Sequence, residues 1–298
     1  MSPLSLFYFV LAIAGFGSAF ALSNVAVSHF SPIHVATARA VVAAVATALF
    51  VLAMGIRIPR TERHVVIYII LGVLTVAAPF ALIAWSQSMI DSSLGGVIFA
   101  SMPLVTLLLG AVVLTDAIPT TRQLSGAIIG LAGVFYVATG GDINTDGSQL
   151  LGAGLTLLAV FCYSLGGVFV KRFDDIDPRA MSFGQLIAAM IILVIISFWN
   201  ISSLTLPDSY APYVVVLWLG VFSTAMPMMA IFLLIQREGP APASMTAFFM
   251  PIMAMGIGAI WMSEPISKTL ILGTVLVLIG AWLVVYTPAS REKITAVG

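Results

Sequence analysis

The sequence predicts an all-α polytopic membrane protein with ten transmembrane helices, arranged as two inverted five-helix repeats. Composition is the first reason, because 61% of the 298 residues are hydrophobic and only 8% are charged. That leaves too little polar surface to cover a soluble globule of this length. The second reason is that most charges separate apolar runs of about 20 residues, the length a helix needs to cross a ~30 Å hydrocarbon core. The third reason is an internal repeat.

Ten apolar stretches, bounded by Pro, Gly, Asn or charged residues, each predict one spanning helix. The first starts almost at residue 1, where MSPLSLFYFV contains no basic residue and opens an apolar run longer than the core of a signal peptide. We therefore expect this segment to be the first span and not a cleaved signal. The predicted spans are 4–26, 33–54, 65–88, 93–115, 121–139, 150–170, 180–200, 211–235, 241–262 and 268–287.

The basic residues predict the orientation of these spans. If both termini are cytoplasmic, Lys268 lies outside and Arg39 lies within a span, while the other basic side chains named below share the cytoplasmic side. We therefore expect a multi-pass protein of the bacterial inner (plasma) membrane with a cytoplasmic tail at 291–298. The formal net charge is zero, so no global field would attract nucleic acid. The cytoplasmic basic residues are Arg57, Arg60, Arg63, Arg122, Lys171, Arg172, Arg179, Arg237, Arg291 and Lys293.

The internal repeat divides the chain into two halves. LGVLTVAAP at residues 71–79 recurs as LGVFSTAMP at residues 219–227, 148 positions later, and the register continues to further matched residues. The predicted halves are residues 1–140 and 149–290. Five spans per half is an odd number, so the second half would enter the membrane from the opposite face. Inverted repeats of this kind are typical of secondary transporters, which expose one midplane site to each side in turn.

Four prolines lie inside otherwise continuous apolar spans, at symmetry-matched places. Pro79 matches Pro227, and Pro103 matches Pro251. A proline within a helix deletes one backbone hydrogen bond and bends the chain. We expect the bends to gate or line a cavity, and the alternative is simple packing curvature.

The pattern of each half resembles a known family. A proline-containing fourth span is followed thirteen residues later by an acid, Asp116 or Glu264, and then by a glycine-rich fifth span. Together with ten spans in two halves, this resembles the drug/metabolite transporter superfamily, specifically its EamA-type exporters, over essentially the whole chain. Within the family it looks most like the bacterial aromatic amino-acid and metabolite exporters. The resemblance implies ten helices around a central cavity, with the fifth and tenth spans at the periphery.

The fifth span carries a GxxxG motif, Gly126 and Gly130, continued by Gly133. Small residues at this spacing let two membrane helices approach closely. We expect this face to pack within a monomer, and a homodimer seam is the alternative.

Arg39 is the most informative candidate for substrate binding. It lies about two turns inside the second span, where an ionised side chain is costly unless it is paired or faces water. Its guanidinium could bind a substrate carboxylate, as amino-acid export would require. The alternative is a structural pairing with Asp91 or with carbonyls at a helix end.

Further candidates could fix a polar substrate by hydrogen bonds or offer it an adaptable apolar wall. For each, the alternative is a bridge to a neighbouring helix or contact with lipid. The uncharged polar candidates are Ser18, Asn24, Tyr163, Ser164 and Gln185. The aromatic and sulfur-containing candidates near the prolines are Phe80, Trp85, Phe99, Met102, Met226, Met228, Phe248, Phe249 and Met250.

Acidic residues are confined to loops and helix ends, so no carboxylate is available mid-membrane as a proton carrier. This favours facilitated export over proton antiport. Asp116 and Glu264 are expected to complement the dipole of the following helix. The acidic stretch KRFDDIDPR, with Asp174, Asp175 and Asp177, could alternatively belong to an enzyme acting on metal-bound diphosphates. No HExxH, Walker A or dinucleotide-binding motif is present, so no catalysis, metal or cofactor is expected.

The sequence therefore predicts a secondary transporter that exports small amphipathic metabolites, foremost amino acids including aromatic ones, by alternating access and facilitated diffusion. Its expected partners are a small-molecule substrate and the lipid bilayer. Two other possibilities stay open: an intramembrane enzyme acting on a lipid or isoprenoid, and a carrier of nucleotide sugars or lipid-linked metabolites.

Overall fold

The structure is a computed structural model that describes residues 1–113, 119–141, 146–170, 173, 176–204, 206–238 and 240–285. Several residues named above lie outside the described residues: Asp116, Lys171, Arg172, Asp174, Asp175, Arg291, Lys293 and the rest of the tail 291–298.

Thirteen α-helices, two π-helical segments and one short 3₁₀ turn make up the secondary structure of the described residues, which contain no strand. The α-helices are α1 Pro3–Val27, α2 Pro32–Ala53, α3 Glu62–Gly72, α4 Ala78–Gln87, α5 Ser92–Phe99, α6 Met102–Val113, α7 Thr121–Ala138, α8 Gly147–Val170, α9 Pro178–Trp199, α10 Ala211–Gly220, α11 Met226–Glu238, α12 Pro240–Trp261 and α13 Lys268–Val285.

These helices coincide with the predicted spans to within a few residues, and three spans consist of two helices each: α3 with α4, α5 with α6, and α10 with α11. Eight helical stretches are long and apolar enough to cross a membrane, and Met245–Trp261 is a shorter apolar helix. The helix α7 is not among the eight, since Arg122 and Gln123 in its first turn reduce its apolar character. The prediction of an all-helical polytopic membrane protein is confirmed.

Local sequence signals set where several helices begin. Pro3, Pro32 and Pro178 open α1, α2 and α9, at the position where the missing proline N–H has no intrahelical partner to lose. Thr120 and Gln123 form a reciprocal capping box that satisfies backbone N–H groups at the start of α7.

The repeated phrase folds the same way in both halves. A π-helical segment, Val73–Ala77, separates α3 from α4, and Val221–Ala225 separates α10 from α11. In each case a proline follows two residues later, and its ring would clash with the carbonyl four residues upstream in a regular α-helix. Widening the preceding turn to the π-helical pattern relieves that clash. The opposite membrane orientation of the two halves stays a prediction.

The second pair of matched prolines differs between the halves. The fourth span is broken between Phe99 and Met102, and Pro103 is the second residue of the helix that follows. Ser101 in the break donates its hydroxyl to the Ile98 carbonyl at 2.7 Å. Pro251, in contrast, lies inside the continuous helix α12. Similar sequences therefore adopt two different backbone conformations at this place.

The fifth and tenth spans, α7 and α13, pack along each other through their glycines. A Cβ atom at Gly280 would lie 2.5 Å from the Gly126 carbonyl oxygen and 2.6 Å from the Gly130 Cα. A Cβ at Gly133 would lie 3.0 Å from the Gly273 carbonyl oxygen. The GxxxG face is therefore covered by α13 of the same chain, which agrees with packing inside the monomer and leaves this face no room for a homodimer seam.

Candidate functional site

A central cavity of about 390 Å³ lies between helices of both halves. Its walls come from α1, α2, α4, α5, α6, α8, α9, α11 and α12, together with both π-helical segments. Most of the lining is apolar or aromatic, with a few polar groups, which is the usual composition of a small-molecule site. The lining side chains with functional interest are Phe16, Phe20, Arg39, Thr75, Phe80, Phe99, Met102, Pro103, Tyr163, Gln185, Thr224, Met228, Thr246 and Met250.

Arg39 is the charged group of this cavity and is only 5% exposed. Its Nε donates a hydrogen bond to the Thr224 hydroxyl at 2.9 Å, and its guanidinium carbon lies 3.9 Å from the centre of the Phe80 ring. Within the described residues it forms no ion pair, so the alternative pairing with Asp91 is not observed. A hydroxyl and a ring face thus contact this buried positive charge, and no described acidic side chain pairs with it.

The π-helical segment explains why Thr224 is in place to receive Arg39. The Thr224 hydroxyl donates to the Leu219 carbonyl at 2.9 Å, five residues upstream, as the widened turn allows. That bond uses the hydroxyl hydrogen and leaves the oxygen lone pairs to accept from Arg39. The local bend next to Pro227 therefore orients the guanidinium.

A neutral polar pair occupies the place that the repeat relates to the first pair, and like the first it joins one half of the chain to the other. The hydroxyl of Thr75, in the first π-helical segment, lies 2.9 Å from the Gln185 amide oxygen on α9 and 2.7 Å from the Leu71 carbonyl. Gln185 stands 146 residues after Arg39, the offset that relates the start of the two halves. The cavity thus has two hydrogen-bonding pairs, of which one is charged and one is neutral.

Aromatic rings form a continuous wall beside these pairs. Phe20 and Phe99 lie edge to face with ring centres 5.4 Å apart, and Phe99 and Tyr163 do so at 5.5 Å. Edge-to-face contact of this kind stabilises rings without filling the cavity. The wall offers apolar and π surface to the body of a ligand whose polar end reaches Arg39.

A second cavity of about 270 Å³ continues the first. The two share Phe16, Gln185, Met228 and Ile231. The second extends to Val170 at the end of α8 and Pro178 at the start of α9. A path therefore leads from Arg39 towards Val170 and Pro178, at the ends of α8 and α9 that are predicted to be cytoplasmic.

At the opposite end of the helix bundle, Glu264 bonds to the start of α5. Its carboxylate accepts hydrogen bonds from the backbone N–H groups of Ser92 at 2.8 Å and Ser93 at 3.0 Å, and from the Ser93 hydroxyl. It thereby neutralises the positive end of α5. This corrects the expectation that Glu264 complements the following span, α13, because the chain folds back towards the first half before α13 begins. Burial, with the neighbouring Glu264 carboxylate, raises the pKa of Asp91.

We expect Glu264→Gln to lower the unfolding temperature by a few degrees, because a helix cap of this type contributes about 1–2 kcal/mol. The measurement is thermal unfolding of the purified protein in detergent. Glu62→Gln is the matched control, since Glu62 lies exposed in the first turn of α3 without a capping hydrogen bond. Equal shifts for the two variants would contradict the assigned role of Glu264.

The acidic stretch proposed for an enzyme contains one described carboxylate, that of Asp177, and it is already engaged. It accepts from the Arg179 backbone N–H at 2.8 Å and forms an ion pair with the Arg179 guanidinium at 2.7 Å. The hydrogen bond from Arg179 holds the pKa of Asp177 below its ordinary value. Asp177 therefore acts as the cap of α9, where it does not face the cavity.

Nine of the residues predicted to bind substrate or to bend a span line the cavity: Arg39, Phe80, Phe99, Met102, Pro103, Tyr163, Gln185, Met228 and Met250. Their role in binding stays a prediction.

Three predicted polar residues do not line the cavity, because each is used to join helices. Ser18 shares a 2.8 Å hydrogen bond with Ser223. Asn24 donates to the Gln87 carbonyl at 2.9 Å, satisfying the last turn of α4. Ser164 is buried, and its hydroxyl accepts from Thr106 at 3.0 Å.

The other predicted residues outside the cavity lining lie on other helix faces. Trp85 and Phe249 are 42% and 43% exposed at the outer surface of the bundle, and Phe248 packs against the buried cluster around Leu104. Met226 is the first residue of α11 and is not among the residues that line the cavity. Pro79, Pro227 and Pro251 also do not line it, and the first two shape it through the π-helical segments.

Sequence reasoning missed several lining residues, notably Phe16, Thr75, Thr224 and Thr246. Thr75 and Thr224 lie within the repeated phrase itself. The hydroxyls of these two threonines could have indicated the site. A polar group beside a proline bend that occurs in both halves is a candidate for lining a cavity.

A helical membrane fold whose two halves enclose a mostly apolar cavity, with one charged side chain among its described lining residues, fits a membrane transporter. The chain belongs to the EamA-like transporter family, whose sequence profile matches residues 3–139 and again residues 150–286.

Individual relatives agree with that assignment. The chain is 26% identical to the uncharacterized inner membrane transporter YedA of Escherichia coli (strain K12), over 90% of this chain and 88% of YedA. It is 24% identical to the uncharacterized transporter YoaV of Bacillus subtilis (strain 168), over 78% of this chain and 80% of YoaV. A solved crystal structure matches with a TM-score of 0.66 at 14% identity, covering 94% of this chain and 96% of that one, which supports the fold.

Proposed function

We propose that the protein exports small amphipathic metabolites that carry a carboxylate, by alternating access across the bacterial inner membrane with both termini in the cytoplasm. Amino acids, including aromatic ones, are the candidates that the sequence predicts. The observation that carries the proposal is Arg39, a buried guanidinium in the central cavity with a hydroxyl and a ring as its described partners. A carboxylate is the group that a guanidinium binds best.

The rest of the cavity fits an amphipathic ligand. The aromatic wall from Phe20 to Tyr163 and the thioethers of Met102, Met228 and Met250 would receive an apolar body. The volume of about 390 Å³ lies within the range of small-molecule sites. A large diphosphate-linked substrate fits less well, since it would meet one cation where several are usual.

Alternating access is supported by the asymmetry of the two halves. The cavity continues towards Val170 and Pro178, while Glu264 joins the second half to α5 at the other end. The matched prolines Pro103 and Pro251 already show two backbone conformations for one repeated element. Exchange of those conformations between the halves would move the opening to the other side. Every Asp and Glu among the described residues lies outside the cavity lining, which supports facilitated diffusion.

Counterflow in proteoliposomes tests the proposal. We expect saturable exchange of labelled phenylalanine, tryptophan or their carboxylate analogues, unaffected by an imposed pH gradient. Ala247→Trp, which would fill the cavity, should abolish exchange, and Leu49→Trp, on the exposed face of α2, should leave it intact. Exchange that persists in Ala247→Trp would contradict a route through this cavity. Exchange driven by the pH gradient would show proton coupling in place of facilitated diffusion.

A further inference from the structure

The central cavity carries a net positive charge. Arg39 is the one charged side chain among the described residues that line it, and the lining contains no Asp or Glu. Each remaining polar lining group, namely Thr75, Tyr163, Gln185, Thr224 and Thr246, is a hydroxyl or an amide. A ligand must therefore bring its own negative charge to make the occupied cavity neutral.

This charge distinguishes two kinds of carboxylate ligand. A simple monocarboxylate forms a neutral pair with Arg39, because the single negative charge meets the single positive one. An amino acid brings an ammonium group two bonds from its carboxylate, so the occupied cavity still holds a net positive charge. The ammonium would lose its water and face the guanidinium with no carboxylate among the described lining residues to pair it, and burying an unpaired charge is costly.

The aromatic wall offsets this cost only in part. Ring faces do attract an ammonium group. The Phe80 face, however, already holds the Arg39 guanidinium at 3.9 Å, and Phe20 and Phe99 are joined edge to face. The hydroxyls of Thr75 and Thr224 are engaged with Gln185 and Arg39. The Phe80 face and these two hydroxyls are thus already committed, and the remaining hydroxyls of the lining, those of Tyr163 and Thr246, offer an ammonium group no negative charge.

Building on the proposed function, we infer that the preferred substrate class is a monoanionic carboxylate with an apolar or aromatic body and no ammonium group. Such molecules are the deaminated or N-acylated counterparts of apolar amino acids. The cavity excludes cationic amines and disfavours zwitterions, while the body of the ligand lies along the aromatic wall.

Three probes with the same phenylpropanoyl skeleton test the inference at pH 6: 3-phenylpropionate, phenylalanine and phenylalanine amide, which are then an anion, a zwitterion and a cation. Their affinities for the full chain in detergent, and their counterflow in proteoliposomes, are compared. We expect 3-phenylpropionate to bind at least ~10-fold more tightly than phenylalanine, since removing one unpaired buried charge is worth a factor of ten or more. Phenylalanine amide should not compete.

Adding a carboxylate to the cavity should reverse the preference. In Gln185→Glu the lining becomes neutral, so we expect the ratio of 3-phenylpropionate to phenylalanine affinity to fall by about tenfold or more. Gln185→Met removes the amide without adding charge, and the ratio should stay in favour of the acid even where overall affinity drops.

The outcomes separate the inference from the proposed function. If phenylalanine bound with the same affinity as 3-phenylpropionate, or exchanged at the same rate, the inference would be overturned. The proposed function, a transporter of carboxylates, would then remain. Failure of all three probes, and of N-acetylphenylalanine, to bind or exchange would overturn both. An unchanged ratio in Gln185→Glu would also overturn the inference, because selectivity would then not follow the charge of the cavity.

Discussion

Replacing Arg39 by methionine is expected to abolish carboxylate counterflow, with a loss of about 100-fold or more. Methionine retains much of the length of arginine but removes the charge and the hydrogen-bond donors. Loss of a bidentate, charge-assisted contact costs about 2–4 kcal/mol where both partners are buried. Arg39→Lys keeps the charge and loses the planar fork, so we expect a smaller loss of about tenfold. Initial rates and half-saturation concentrations in proteoliposomes measure both variants.

Thermal unfolding decides whether Arg39 serves the substrate or the fold. Its described partners are Thr224 and the Phe80 ring, with no ion pair among the described residues. A buried, uncompensated charge destabilises a protein, so Arg39→Met should unfold at an unchanged or higher temperature. A fall of many degrees together with the loss of transport would assign Arg39 a structural role and contradict the substrate site.

Replacing Gly280 by alanine is expected to lower the unfolding temperature by several degrees. The new Cβ would lie 2.5 Å from the Gly126 carbonyl oxygen and 2.6 Å from the backbone nitrogen of Gly130. Those atoms belong to a rigid helix backbone, so α7 and α13 would have to separate. Overpacking of this kind costs about 1–3 kcal/mol, more than the gain of up to ~1 kcal/mol in helix propensity. Thermal unfolding in detergent is the measurement.

Gly154→Ala is the matched control for the seam between α7 and α13. Gly154 is exposed on α8, and a Cβ there would meet no atom within 4 Å. The same substitution should therefore leave the unfolding temperature unchanged or raise it slightly, as alanine favours a helix. Equal effects at both glycines would mean that the close approach of α7 and α13 contributes little to stability.

The features that sequence reasoning predicted well are local or periodic. Span boundaries follow from apolar runs ended by Pro, Gly or charge, and the structure reproduces them to within a few residues. The bends at Pro79 and Pro227 follow from proline chemistry, although the π-helical form of the turn does not. Arg39 and Gln185 stood out because a polar group inside an apolar span is expensive.

Whether a side chain faces the cavity could not be predicted in the same way. Ser18 and Asn24 are as polar as the residues of the cavity, yet they join helices at 2.8 and 2.9 Å. Trp85 and Phe249 lie near prolines but on exposed faces. These spans are apolar on all sides, so the hydrophobic pattern that marks the inner face of a soluble helix is absent.

Membrane thickness, proline geometry and the repeat act on contiguous residues, so the sequence alone was enough to predict a polytopic helical membrane protein with two similar halves. Which groups meet depends on the folded structure, where Arg39 contacts Thr224 and Phe80, and Glu264 contacts the start of α5. Thr224 lies 185 residues after Arg39 along the chain, and Ser92 lies 172 residues before Glu264. The rotation and crossing of the helices bring them together, and those depend on packing across the whole bundle.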